Sequence, residues 1–171
     1  MSIAKASSSD IPALVILINR AYRGEGSKKG WTTEADLLDG ELRTDETTLG
    51  ALLENPSATM LKYTSPKGHI AGCVFLDKQA RGLYLGMLTV SPDEQAGGIG
   101  KQLMMAAEKH AKENNCPSIF MNVISIREEL IAWYERNGYH KTSETKPFPT
   151  DNQFGTPTQP LEFVIMEKDI D

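Results

Sequence analysis

A strand-like run, a turn carrying three glycines and an immediate amphipathic helix constrain this chain more than any other feature. The segment reads Leu88-Thr-Val-Ser-Pro-Asp-Glu-Gln95-Ala96-Gly97-Gly98-Ile99-Gly100-Lys101. With no side chains in the way, backbone N–H groups there can converge on an anion, and the start of the next helix adds partial positive charge. A phosphate or pyrophosphate suits such a turn. Glycine spacing alone leaves open a strand-to-helix turn that binds nothing. Two other phosphate-binding designs do not fit. A Walker loop needs Gly-Lys-Ser/Thr behind a four-residue spacer, and here Lys101 is followed by Gln102. A dinucleotide fingerprint needs G-x-G-x-x-G behind a first strand, whereas Gly97, Gly98 and Gly100 come after three strand-like runs.

Periodicity orders the rest of the chain around this turn. Ile3 to Ala6 reads as a short strand, followed by serines and Asp10 as helix-start signals with Pro12 in the first turn. Ile11, Leu14, Val15, Ile18 and Tyr22 then fall on one helical face. Between Arg23 and Asp45 the periodicity fails, in a glycine-punctuated stretch that holds Trp31 and the acids Glu25, Glu34 and Asp36. A long irregular segment of this kind is usually functional or mobile. Thr47 to Glu54 predicts a helix, and Ala58 to Thr64 and His69 to Leu76 predict a hairpin around Ser-Pro-Lys-Gly. Leu83 to Val90 predicts the strand before the glycine turn. Beyond the turn, a helix runs to about Asn114, with Ile99, Leu103, Ala107 and Ala111 on its inner face. Ser118 to Ile124 reads as a strand, Arg127 to Asn137 as a helix, and a short strand starts at Tyr139. A Pro-rich loop, Pro147 to Pro160, precedes a last strand, Leu161 to Lys168. The order β-α-α-β-β-β-α-β-α-β-β predicts an α/β (α+β) fold with a mixed sheet and helices on both faces.

At 171 residues, 40% hydrophobic and 24% charged, the chain is read as one domain over residues 1–171, with a core that needs no staples. Its net charge of −5 argues against duplex nucleic acid as a partner. Cys73 and Cys116 have no metal spacing and read as buried free thiols, while His69, His110 and His140 are scattered, so no metal is expected. The N-terminus lacks the apolar stretch of a signal peptide, and the aliphatic run Ala13 to Ile18 is far short of the ~20 residues a bilayer span needs. The expectation is a cytoplasmic protein with no membrane partner.

Gln95-Ala96-Gly97-Gly98-Ile99-Gly100 matches in full the Q/R-x-x-G-x-G/A signature of the GCN5-related N-acetyltransferase (GNAT) superfamily, which this chain resembles. Leu88 to Pro92 resembles that family's central strand and exit turn. Arg127 to Tyr139 resembles its second motif, in which a helix bearing a tyrosine, here Tyr134, ends at Gly-Tyr/Phe, here Gly138-Tyr139. The likeness covers Ile70 to His140 well and, by element order, the whole chain. It implies the GNAT fold of about six to seven strands, with a splayed central pair, Leu83–Val90 and Ser118–Ile124.

The resemblance also implies roles. Acetyl-CoA is the implied co-substrate, its pyrophosphate held by the amides of Gln95, Ala96, Gly97, Gly98, Ile99, Gly100 and Lys101. Lys101 and Arg127 are candidates to touch phosphates. The backbone of Leu88 and Val90 would pair with the pantetheine arm as though it were an added strand. An amide near Leu88 would polarise the thioester carbonyl. Tyr134 would be the general acid that protonates the departing thiolate; a phenol with a pKa of about 10 can do so. On periodicity alone Tyr134 is a core tyrosine.

Many family members place a glutamate on the central strand as a base, but Leu83 to Val90 holds no carboxylate. Asn122 stands on the next strand, where the family commonly has an acid. Glu25, Glu34, Asp36 and Trp31 are the candidates for the acceptor site; carboxylates with an aromatic would suit a cationic amine. The implied activity is direct acetyl transfer to a primary amine of a small molecule or a protein or peptide. The alternatives are a non-catalytic acyl-CoA sensor of the same fold and, more remotely, a nucleotide-binding regulatory domain. Family members often dimerise, so a homodimer is an admissible state.

Overall fold

The computed structural model describes residues 2–30, 32–149 and 151–171, with Glu25 and Ala96 described by backbone alone. The elements run β1 (Ser2–Lys5), α1 (Ile11–Tyr22), β2 (Leu38–Asp39), α2 (Glu46–Glu54), β3 (Ala58–Thr64), β4 (Ile70–Lys78), β5 (Leu83–Val90), α3 (Ile99–Glu113), β6 (Ser118–Ile124), α4 (Glu128–Arg136), β7 (His140–Pro147), β8 (Thr156–Pro157) and β9 (Glu162–Asp169). The predicted order is observed. Two departures stand out. The strand from His140 is eight residues long, and the stretches read as irregular carry the two-residue strands β2 and β8, which pair with each other.

Seven strands form one mixed sheet in the order β1-β3-β4-β5-β6-β9-β7. Alternation along the strands builds a core on each face. Leu61 and Tyr63 of β3 face the core shared with α3 and α4, whereas Met60 faces the core shared with α1 and α2. β4, in the middle, is buried on both sides. β7, at the edge, is a nearly all-polar strand with exposed side chains, which discourages pairing with another chain.

Local chemistry explains the ends of the elements. Asp10 accepts from the Ser7 amide and closes a capping box before α1, and Asp45 caps α2 by accepting from Thr48 N. The Ser65–Gly68 turn closes by a hydrogen bond from the Gly68 amide N–H to Ser65 O, with Gly68 at φ 89°. On α3, Ile99, Leu103, Ala107 and Ala111 are all buried, as their spacing predicts. The buried stripe of α1 is Leu14, Leu17, Ile18, Ala21 and Tyr22, so Leu17 and Ala21 replace Ile11 and Val15 at its centre. Cys73 and Cys116 are buried free thiols; burial pushes the Cys73 thiol up to about 12. Among the described residues no helix is long and apolar enough to cross a membrane, and no group of side chains could hold a metal ion.

Candidate active site

Among the described residues, β5 and β6 are neighbours that part along most of their length: these parallel strands pair only at Leu83–Ile119 and Tyr84–Phe120. Beyond that point β5 stays paired with β4 as far as Val90, through one register shift, and β6 stays paired with β9 through Ile124. The gap is therefore a split within an otherwise paired sheet.

Three features of β5 open it. Met87 sits at φ 50°, in the left-handed region, beside a register shift of β4 between Cys73 and Phe75. A bulge of this kind bends a strand away from its neighbour. The Met87 carbonyl accepts from the Thr89 hydroxyl at 2.8 Å and, more weakly, from Cys73 Sγ at 3.9 Å, so the unusual backbone is held by its neighbours. Gly86 lies under the Tyr84 ring, whose Cε2 would be 3.0 Å from an added Cβ. Tyr84 also packs edge-on against Phe120, with centroids 5.6 Å apart, and closes the cleft where pairing ends.

The cleft is lined by Gly86, Met87 and Leu88 on one side and Asn122, Val123 and Ile124 on the other, with Tyr22 and Tyr134 across it. Tyr22, at the end of α1, donates a short hydrogen bond to the Leu88 carbonyl. That leaves the Leu88 amide as the polar group of this residue available to a ligand. Tyr134 is buried, with its ring edge-on to Trp133 and Tyr139. Its hydroxyl makes no hydrogen bond to the described residues. Burial, with the neighbouring Tyr22, raises its pKa well above 10, and Arg127 opposes the shift only in part. The phenol is therefore a proton donor at any ordinary pH. Asn122 Oδ1, also in the cleft, is buried and unpartnered.

The glycine turn follows directly from β5. Gly98 caps α3 at φ 70° with no side-chain cap, and an added Cβ there would meet nothing within 4 Å. The first amides of a 15-residue helix therefore face an open cradle. Gln95, the first residue of the signature, works through its side chain. Its Nε2 donates to Val90 O at 3.0 Å and Ser91 O at 2.8 Å, strapping the turn to the end of the strand. Gly72 on β4 lets α3 approach: a Cβ there would lie 2.8 Å from Ile99 Cγ2 and 2.9 Å from Thr89 O. The side chain of Lys101 is exposed on the helix.

The family model for "Acetyltransferase (GNAT) family" matches residues 20–139, most of the chain and all of this site. The protein belongs to the GNAT acetyltransferase family. No curated protein gives a significant sequence match. Solved structures share the fold. A ribosomal-protein-alanine N-acetyltransferase from Brucella melitensis superposes with TM-score 0.73 at 19% identity, covering 99% of this chain and 100% of that one. The ribosomal-protein-S18-alanine N-acetyltransferase of Escherichia coli gives 0.73 at 17%, covering 99% and 94%. The yncA protein of Salmonella typhimurium, solved with its cofactor acetyl-CoA, gives 0.72 at 16%, covering 100% and 94%.

Acetyl-CoA, which the GNAT family implies, fits the residues present. The uncapped start of α3 and the open space beside Gly98 suit a pyrophosphate. The split beside Leu88 and Val90 suits an extended arm, with the Val90 carbonyl already taken by Gln95.

Arg127, a candidate for the phosphates, lines the cleft and is engaged there: its Nη1 lies 3.5 Å from Glu34 Oε2 and its Nη2 donates to Thr33 O at 3.1 Å. Asp36 is a surface carboxylate paired with Lys28 at 3.3 Å, its side chain 79% exposed. Trp31 lies outside the described residues, as does the Glu25 side chain. Glu34 does reach the site, but it is buried among arginines: Arg23 Nε at 3.2 Å, Arg127 at 3.5 Å and Arg43 Nε at 3.8 Å. Its cationic partners are already in place, which leaves it a poor partner for a cationic amine. Sequence reasoning missed Arg23, Arg43 and the second role of Tyr22. The available signal was a pair of arginines, Arg23 and Arg43, bracketing an otherwise acidic segment.

Next to the cleft lies a cavity of about 300 Å³ lined by Arg23, Glu34, Arg43, Phe148, Phe154 and Phe163. Glu34, Arg43 and Phe163 line both spaces, so the two adjoin. One wall is the chain leading into β8, with Phe154 and Gly155 on the cavity, and Arg23 ties it down, its Nη1 donating to Leu42 O and Phe154 O.

Proposed function

We propose that this protein is a single-domain N-acetyltransferase that moves an acetyl group from acetyl-CoA directly to a primary amine of a small molecule or protein. The observation that carries the proposal is the meeting of an unpaired, high-pKa Tyr134 phenol with the gap between β5 and β6. When bound, acetyl-CoA supplies an acyl thioester. The Leu88 amide stabilises the charge that develops on the acyl oxygen, a contribution of roughly 2.7–4 kcal/mol for one well-aimed donor. Tyr134 gives its proton to the departing sulfur as the new C–N bond replaces the C–S bond. Among the described residues the carboxylate lining the cleft is Glu34, and it is held by arginines. The acceptor therefore reacts as the neutral amine and releases its proton to water in the cleft. The pattern of donors supports catalysis over mere sensing of acyl-CoA, because a sensor has no use for an unpartnered acid.

The test is thermal unfolding with acetyl-CoA, with ATP as control, followed by thiol release on an amine panel. At a hundredfold excess over Kd, one ligand adds about 2.7 kcal/mol, which raises Tm by roughly 5–10 °C in a domain of this size. A shift with acetyl-CoA and not ATP, together with amine-dependent thiol release, is the expected outcome. No shift with acetyl-CoA sinks the proposal.

A further inference from the structure

Three guanidinium groups gather around one carboxylate at the junction of the cleft and the 300 Å³ cavity. Two of them are engaged by hydrogen bonds. Arg23 is buried and donates to Glu34, Leu42 O and Phe154 O, while Arg127, its side chain 9% exposed, donates to Thr33 O beside Glu34. Arg43 is different. Its guanidinium makes only a 3.8 Å ion contact with Glu34 Oε1 and lies over the Tyr22 ring, 5.4 Å from the centroid. Its side chain is 31% exposed, and it lines both spaces. The other acid on the cavity wall, Asp151, is an exposed residue. Positive charge is thus in excess where an acceptor would sit, and its uncommitted donors are those of Arg43. In the adjoining cleft, Asn122 Oδ1 is a buried acceptor without a donor among the described residues. Between them Phe163, packed 5.2 Å from Phe148, provides an apolar wall.

We propose that the acceptor is a small amino-carboxylic acid with an apolar body, its carboxylate held by Arg43 and its amine positioned by Asn122 Oδ1. The inference rests on the acetyl-transfer reading above and reverses the expectation of a cationic amine held by carboxylates. A guanidinium suits a carboxylate because its planar fork offers two parallel N–H donors. An uncharged amine or a peptide N-terminus would leave that fork unused. Asn122 cannot take a proton, so it orients the neutral amine and does not activate it.

The experiment compares leucine, methionine and phenylalanine with their α-carboxamides as acceptors, at saturating acetyl-CoA, reading kcat/KM by thiol release. Carboxamides have the less basic amine, so more of it is neutral at a given pH, and a preference for the acid runs against intrinsic reactivity. The acids are expected to win by about tenfold or more, the scale of one hydrogen bond to a charged group. Arg43→Gln should bring the ratio close to one, and Arg43→Lys should keep part of it. Amides equal to or better than the acids would overturn the assignment. So would an unchanged ratio in Arg43→Gln, or acetyl-CoA binding with none of the six compounds acetylated. If acetyl-CoA neither stabilises the protein nor is consumed with any amine, the acetyl-transfer reading itself has failed.

Discussion

Replacing Tyr134 by phenylalanine removes one oxygen from the cleft and separates chemistry from stability. The hydroxyl has no hydrogen-bond partner among the described residues, so its loss strands no donor or acceptor. The ring contacts with Trp133 at 5.3 Å and Tyr139 at 6.0 Å survive in phenylalanine. Unfolding free energy in urea should therefore move by less than about 0.5 kcal/mol. The rate should respond very differently. A positioned general acid contributes 10²–10⁴-fold, and a thiolate, already a fair leaving group, places this case near the lower end, at roughly 10²-fold in kcat. That corresponds to about 2.7 kcal/mol in the barrier. The assay is steady-state thiol release at saturating acetyl-CoA, alongside the Tm shift that acetyl-CoA produces. Loss of rate with the Tm shift intact supports the proton donor. A kcat within threefold of wild type would refute the reasoning, because it would leave the sulfur departing unassisted.

Glu34→Gln leaves three arginines facing a neutral side chain, two of them buried, and should cost about 3–5 kcal/mol in urea unfolding, as breaking a buried ion pair does. Gly98→Ala forces a side chain into φ 70° at a cost of about 1–2 kcal/mol and puts a methyl group into the open cradle. It should weaken acetyl-CoA binding, measured by calorimetry, by more than the stability loss alone would suggest. The buried phenols of Tyr22, Tyr84, Tyr134 and Tyr139 all have raised pKa values, chiefly through burial. Their stabilisation is complete below pH 10 and is lost as pH rises from there towards the folded values. Each should then contribute a slope of about −1.4 kcal/mol per pH unit, visible as steepening alkaline unfolding.

Much of the frame was legible because it rests on local signals. Ala58–Thr64, Leu83–Val90 and Ser118–Ile124 appear with the predicted limits, since their β-branched and aromatic residues are bounded by turns. The glycine turn was legible because few other residues tolerate Gly98's backbone. The acceptor cavity was not. Its walls bring Arg23 and Arg43 to Phe154 and Phe163 across more than a hundred residues of chain, a meeting that no local period encodes. The partners of Glu34 were hidden for a similar reason. A carboxylate in an acidic segment looks solvated until the fold brings Arg23, Arg43 and Arg127 to it. Tyr22 was read as core, and it is; only the position of Leu88 shows that its hydroxyl also has work on β5.

The split between β5 and β6 has a consequence for aggregation. An unpaired strand flank on the outside of a protein recruits other chains and is normally blunted by charge or covered. Here two such flanks face each other inside the sheet, across a cleft lined by Tyr22 and Tyr134. Backbone groups that would promote fibre formation on an outer edge are thus kept within the fold, away from the rim where another protein's strand would add.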